Sequence, residues 1–207
     1  MLKELYDKHL CPHIINFFMD DKIIKKQREK VVPKAYGRVL EIGIGSGHNL
    51  DFYDYSKVEE IYALEPHPKL IEMSQKKASQ LDIKLKVLDS SAEENPLEDE
   101  SFDSVVCTYT LCTIPDPDKA LLEVKRVLKN GGSFIFSEHG LAPEASVQKW
   151  QNRLNPLQNA IGGGCNLNRN IPLIIEKSGL KTKELDQGHI PGLTLISYNY
   201  WGLSLKE

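Results

Sequence analysis

The run Val39-Leu40-Glu41-Ile42-Gly43-Ile44-Gly45-Ser46-Gly47-His48-Asn49-Leu50 carries an apolar strand straight into three glycines at alternate positions. Glycine has no Cβ, so such a turn adopts positive φ and lets the main chain come into contact with a ligand lying across the carboxyl edge of the strand. The rest of the chain constrains the fold further. Strand-like runs at 38–42, 60–65, 85–88, 102–107 and 133–137 alternate with charged helical runs, notably Pro68 to Gln80 and Pro117 to Leu128. This alternation predicts an α/β chain whose mostly parallel sheet is built from crossover helices. Ala120, Leu121, Val124, Val127 and Leu128 supply the face of the second helix that packs on the sheet, and Gly131-Gly132 reads as its stop.

The flanks are less regular. Residues 1–36 read as a helical preamble, with Pro12 interrupting any single long helix and a second amphipathic piece ending before Pro33. Beyond the fifth strand, Trp150 to Ala160 and Ile171 to Ser178 read as helices, Gly162-Gly163-Gly164 as a hinge, and the runs 181–185 and 194–205 as strands that pair as an antiparallel edge. The 207 residues suffice for one structural domain, divided here into a lid over 1–36 and a ligand-binding body over 37–207.

Composition narrows the function. With 26 basic against 29 acidic residues and a net charge of −3, the chain lacks the clustered basic excess that phosphate backbones demand, so nucleic acid is not an expected partner. No apolar run reaches the length of a membrane span, and Met1-Leu2-Lys3-Glu4 does not open like a secretory signal; a cytoplasmic protein without stable membrane insertion, monomeric or homodimeric, is expected. Four scattered cysteines without a CxxC pair predict neither a disulfide framework nor structural zinc. The His9–His13 pair around Cys11 is spaced like a helical metal site, but Pro12 distorts it and no further ligands accompany it, so no metal is expected.

The glycine turn suits two ligand classes. A dinucleotide fingerprint wants its third glycine where His48 stands. With Gly47 as the third, Glu41, Gly43, Gly45 and Gly47 form ExGxGxG, and the segment resembles the first motif of the class I S-adenosylmethionine-dependent methyltransferases. Glu65, at the end of the second strand, stands where one carboxylate accepts both hydroxyls of a ribose. The resemblance implies a Rossmann-like, doubly wound sheet with helices on both faces. It also implies S-adenosylmethionine as cofactor and S-adenosylhomocysteine as product. In that reading the amino acid moiety lies along the turn, Asn49 belongs to the cofactor-binding set, Pro66 and Ser91-Ala92-Glu93 lie near the adenine, and Thr108 lies under the methionine portion. The segments 27–33, 111–114 and 164–169 extend the resemblance to the methyltransferase-like thiol methyltransferases and their bacterial relatives, neighbours of the ubiquinone and menaquinone methyltransferases. The apolar anchor of the membrane-bound animal members is not matched.

Methyl transfer from a sulfonium needs an in-line nucleophile and exclusion of water more than it needs acid–base groups. A thiol acceptor reacts as thiolate; a phenolic or quinone-like acceptor requires a stronger base. His139 and Glu138, closing the fifth strand, are the candidate bases, with His139 better matched to neutral pH. Tyr6, Tyr109, Trp150 and Cys165 are expected to border the pocket of a small-molecule acceptor. An NAD-type oxidoreductase and a non-catalytic S-adenosylmethionine-binding protein remain alternatives on the sequence.

Overall fold

The structure, a computed structural model, describes residues 5, 6 and 10–207; His9 of the histidine pair lies outside them. Two helices, α1 (Cys11–Met19) and α2 (Lys22–Val31), precede the sheet. Pro12 sits in the first turn of α1, where its missing N–H leaves no hydrogen bond unmade, and Asp21 caps α2 by accepting from the Ile23 N–H.

The sheet then forms in the expected alternation: β1 (Gly37–Ile42), β2 (Val58–Leu64), α3 (Pro68–Gln80), β3 (Leu85–Leu88), β4 (Phe102–Thr108), α4 (Pro117–Val127), β5 (Leu128–His139), α5 (Ala145–Ile161), α6 (Ile171–Lys177), β6 (Lys181–His189), the single turn α7 (Thr194–Ser197) and β7 (Tyr198–Leu205). Their spatial order is β3-β2-β1-β4-β5-β7-β6, with β1 to β5 parallel and β7 antiparallel to both β5 and β6.

Period-2 alternation sorts the strand residues onto two cores. Leu40, Ile42, Val105, Cys107, Phe134 and Phe136 meet Leu121 and Val124 of α4 and Ile171 and Ile175 of α6. Val39, Ile61, Ala63, Val106 and Ile135 face the other way, onto Val31 of α2, Ala78 of α3 and the loop residues Leu50 and Tyr53. Both faces of the sheet are therefore covered, as a parallel sheet requires.

Three sequence expectations change. The run 194–205 is a strand only from Tyr198, because 194–197 close a helical turn in which the Ile196 N–H reaches the Leu193 carbonyl. The glycines at 131 and 132 do not stop α4. The helix ends at Val127, the chain is already extended at Leu128, and Gly131 (φ +77°) lies within β5, where pairing to β4 jumps from Phe102↔Leu128 to Ser104↔Ser133. The short run at 181–185 continues to His189, because β7 offers it a full-length antiparallel partner.

At Gly202 of β7 the main chain of β6 leaves no room for a side chain. A Cβ there would stand 2.0 Å from the Glu184 carbonyl, beside the register shift between Thr182 and Glu184. Gly202→Ala is expected to cost about 1–3 kcal/mol through overpacking, read as a lowered urea midpoint; an unchanged midpoint would show that β6 gives way freely.

Candidate functional site

Strand order reverses between β1 and β4, and in open parallel sheets the crevice forms beyond the carboxyl ends of such a strand pair. A cavity of about 760 Å³ opens there. Its floor is the glycine turn, where Gly43, Gly45 and Gly47 adopt φ of +66°, +57° and +85°. A Cβ on Gly43 would collide with the Thr110 side chain at 2.3 Å, so the turn and the segment after β4 meet in a contact that only glycine allows. Gly43 and Gly45 line the cavity, whereas Gly47 faces Ser74 of α3 and seats that helix.

Under the turn lies a closed polar network. The buried Glu41 carboxylate accepts from Asn49 Nδ2 at 3.0 Å and from the Tyr53 hydroxyl at 2.7 Å, while Asn49 Nδ2 also reaches Thr108 Oγ1 at 3.0 Å. Burial pushes the Glu41 carboxyl up to about 7, against the opposing pull of those hydrogen bonds. At the end of β2, Glu65 accepts the Gly45 N–H at 2.9 Å with one oxygen and the His67 N–H at 3.0 Å with the other. Its pKa is likewise raised by burial. Each oxygen has a second lone pair, so the carboxylate can still accept from a ligand at the cavity wall.

The remaining walls come from the segments that the sequence singled out. Pro66, Ser91, Ala92 and Glu93 line one end, Thr108 and Tyr109 the other. Tyr109 is a non-glycine residue at φ +54°, a conformation that costs about 1–3 kcal/mol. It is held there by its N–H on the Ser137 carbonyl and by its hydroxyl, which donates to Asn199 Oδ1 at 2.9 Å. Helix α1 closes the top with Cys11, Ile15, Asn16 and Met19.

Other expected residues stand elsewhere. Glu138 is fully buried and engaged by the main chain: its carboxylate accepts the N–H groups of Thr110, Leu111 and Cys112 at 2.7, 3.0 and 3.3 Å. His139 points its Nε2 at Cys165 Sγ, 3.0 Å away, and neither residue lines the cavity. Trp150 is half exposed beneath Arg153, also away from the cavity, and the Tyr6 hydroxyl donates to the Ile161 carbonyl. The structure thus brings together the residues expected to hold a cofactor, Gly47 excepted, and of those expected to serve the acceptor it places only Tyr109 in the cavity.

It also adds residues. Arg28 of α2 is 3% exposed, lines the cavity, donates to the Met19 carbonyl at 2.8 Å and lies 5.7 Å from the Tyr109 ring. Its Nε has no hydrogen-bond partner among the described residues. In the sequence Arg28 sits among Lys25, Lys26, Glu29 and Lys30, where one more charge reads as solvated surface. His48 also lines the cavity, and burial lowers it to about 4, so it is neutral at pH 7.

The comparisons with known proteins agree with this geometry. A family described as "Methyltransferase domain" matches residues 40–136, the stretch from β1 to β5. Those residues belong to that methyltransferase family, and the chain as a whole resembles the class I S-adenosylmethionine-dependent methyltransferases. It is 35% identical over 152 residues to thiol S-methyltransferase TMT1B of Rattus norvegicus, covering 72% of this chain and 62% of that protein. The human TMT1B is 36% identical over 159 residues, covering 72% of this chain and 64% of the relative. The chain therefore spans a little under two thirds of these relatives' length. Among solved structures, YcgJ from Bacillus subtilis superposes with a TM-score of 0.63 at 22% identity, over 87% of this chain and 73% of that one, which supports the fold. Among the described residues no helix is long and apolar enough to cross a membrane.

The raised Glu41 pKa makes stability depend on pH with a definite sign. A carboxyl that protonates more readily folded than unfolded contributes stability that is complete below about pH 4.5 and lost as pH rises through about 7, on the order of 3 kcal/mol in all. Denaturation of Glu41→Gln between pH 5 and pH 8 is expected to show a flatter profile than the unmutated chain. Parallel profiles would exclude this role.

Proposed function

We propose that this methyltransferase transfers the methyl group of S-adenosylmethionine to the sulfur of a small thiol. The observation that carries this reading is the acceptor end of the cavity. Beyond Thr108 it is walled by hydroxyls and by Cys11, Ile15 and Ile114, while the nearest strand-end carboxylate, Glu138, is engaged by three main-chain donors. An acceptor end whose strand-end carboxylate is already engaged suits an acceptor that supplies its own nucleophile near neutral pH, and a thiol, partly ionised there, does so where a phenol does not. The two TMT1B relatives, named as thiol S-methyltransferases, support the same class of acceptor.

The residues present fit the cofactor. The bare main chain at Gly45 admits an amino acid moiety in contact, and the free lone pairs of Glu65 accept ribose hydroxyls. Pro66 and the 91–93 segment flank the base, with Ala92 buried beneath it. Glu41, Asn49 and Thr108 present oxygens to an ammonium group, and Arg28, a buried cation with an unpartnered Nε, takes the carboxylate. When bound, the cofactor supplies a methyl group already activated on a sulfonium. The protein's own contribution is placement: α1 and α2 cover the cavity and exclude water, so residues 1–36 act as its lid, and Tyr109 is clamped beside the approach of the acceptor.

Two variants separate the cofactor contacts. Arg28→Ala is expected to weaken S-adenosylhomocysteine binding by about 1.5–3 kcal/mol, roughly 10- to 100-fold. It should leave 5′-methylthioadenosine, which has no carboxylate, unaffected. Glu65→Ala should weaken both ligands, since both carry the ribose. Calorimetric titration of the two ligands reads this directly, and equal losses in Arg28→Ala would remove the carboxylate role.

The acceptor is tested by incubating the protein and S-adenosylmethionine with thiols, phenols or quinols and measuring S-adenosylhomocysteine. Turnover with thiols alone is expected. Turnover confined to phenols or quinols would overturn the thiol reading, and no turnover with any acceptor would leave a binding protein.

A further inference from the structure

Behind the cavity wall, Cys112 Sγ, His139 Nε2 and Cys165 Sγ lie within 4.8 Å of one another. They come from three separate segments: the loop after β4, the last residue of β5, and the loop between α5 and α6. None of the three lines the cavity. Cys112 and His139 are buried, and among the described residues the imidazole has no partner at Nδ1, so its polar contact is on the sulfur side. A core histidine satisfied by a loop carbonyl would look different.

The main chain sets the position of these donors before any ion arrives. The Asn166 N–H and side-chain amide both donate to the Cys112 carbonyl, at 2.8 and 3.0 Å, which pins the two cysteine-bearing loops together. Asn155 in turn donates to Asn166 Oδ1 at 3.1 Å, and Glu138 gathers the N–H groups leading up to Cys112. In a tetrahedral zinc centre, Zn–S of about 2.3 Å and Zn–N of about 2.0–2.1 Å put the ligand atoms roughly 3.4–3.8 Å apart. The three atoms fall within 4.8 Å of one another with the His139–Cys165 edge at 3.0 Å, so a small adjustment of side chains brings them to that spacing. Two thiols and an imidazole select zinc over magnesium or calcium, which prefer oxygen.

We propose that Cys112, His139 and Cys165 bind a zinc ion with three protein ligands and a fourth position open to water or another donor. Binding converts both thiols to thiolates and releases their two protons to solvent, while His139 donates its Nε2 lone pair and keeps its proton on Nδ1. Thr113 and Gly164, the chain neighbours of the two cysteines, line the cavity, so the ion ties together the segments that form that wall. The absence of any CxxC pair says nothing against such a site, since its ligands converge only in the fold.

The full chain, reduced and with four titratable thiols, is titrated with cobalt(II) as a spectroscopic probe. One equivalent is expected to produce a thiolate-to-cobalt charge-transfer band and tetrahedral d–d bands, both abolished by added zinc. The variant carrying Cys112→Ser and Cys165→Ser should lose these bands while still melting later with S-adenosylhomocysteine, which reports the fold independently. Should that variant fail to bind S-adenosylhomocysteine, the single variants Cys112→Ser and His139→Ala serve in its place, each expected to weaken cobalt binding. Zinc should raise the melting temperature of the unmutated chain only. The absence of a charge-transfer band in fully reduced protein, or bands that persist in variants that fold, would overturn the site.

Discussion

Everything at the working end of this molecule depends on one hydrogen bond between strand ends, from the Gly45 N–H to the Glu65 carboxylate. It joins the turn after β1 to the end of β2 and supports a buried carboxylate at the cavity wall, whose pKa burial raises and this bond pulls back down. A second main-chain donor, the His67 N–H, completes the support while leaving lone pairs for a ligand. Without these donors the carboxylate would be an uncompensated buried charge, and the turn would lose its tie to the neighbouring strand.

Mutual satisfaction of polar groups also governs the other side of the turn. Glu41, Asn49, Tyr53 and Thr108 satisfy one another beneath the glycines, so the floor is rigid before anything binds. Gly43 lets Thr110 pack against the turn, and Tyr109, one residue earlier, carries the backbone strain of that sharp exit from β4. The strain is sustained because Ser137 and Asn199 hold the residue at both ends. Glu138 works in the same mode: it fixes the main chain of the loop after β4, and its burial and three N–H partners explain why a residue in the expected place for a base serves as an anchor.

Helices α1 and α2 connect this floor to the outside. Arg28 donates to the end of α1, faces the Tyr109 ring and borders the cavity, so one buried guanidinium serves both the cover and the cavity wall. A ligand carboxylate at that point would bind and tie down the cover in a single interaction.

The local pattern of the sequence determined the strand and helix alternation, the glycine turn and the place of Glu65. These are properties of neighbours in the chain: periodicity of 2 or 3.6, and glycines where φ must be positive. The strand that begins at Tyr198 rather than Thr194, and the glycines of β5 that do not stop a helix, escaped the pattern because partner strands decide pairing and register. Only the tertiary structure decided that Arg28 is buried, that Glu138 is taken up by the main chain, and that Cys112, His139 and Cys165 meet. Charge, burial and ligand geometry are relations between segments distant in sequence, and packing alone brings those segments together.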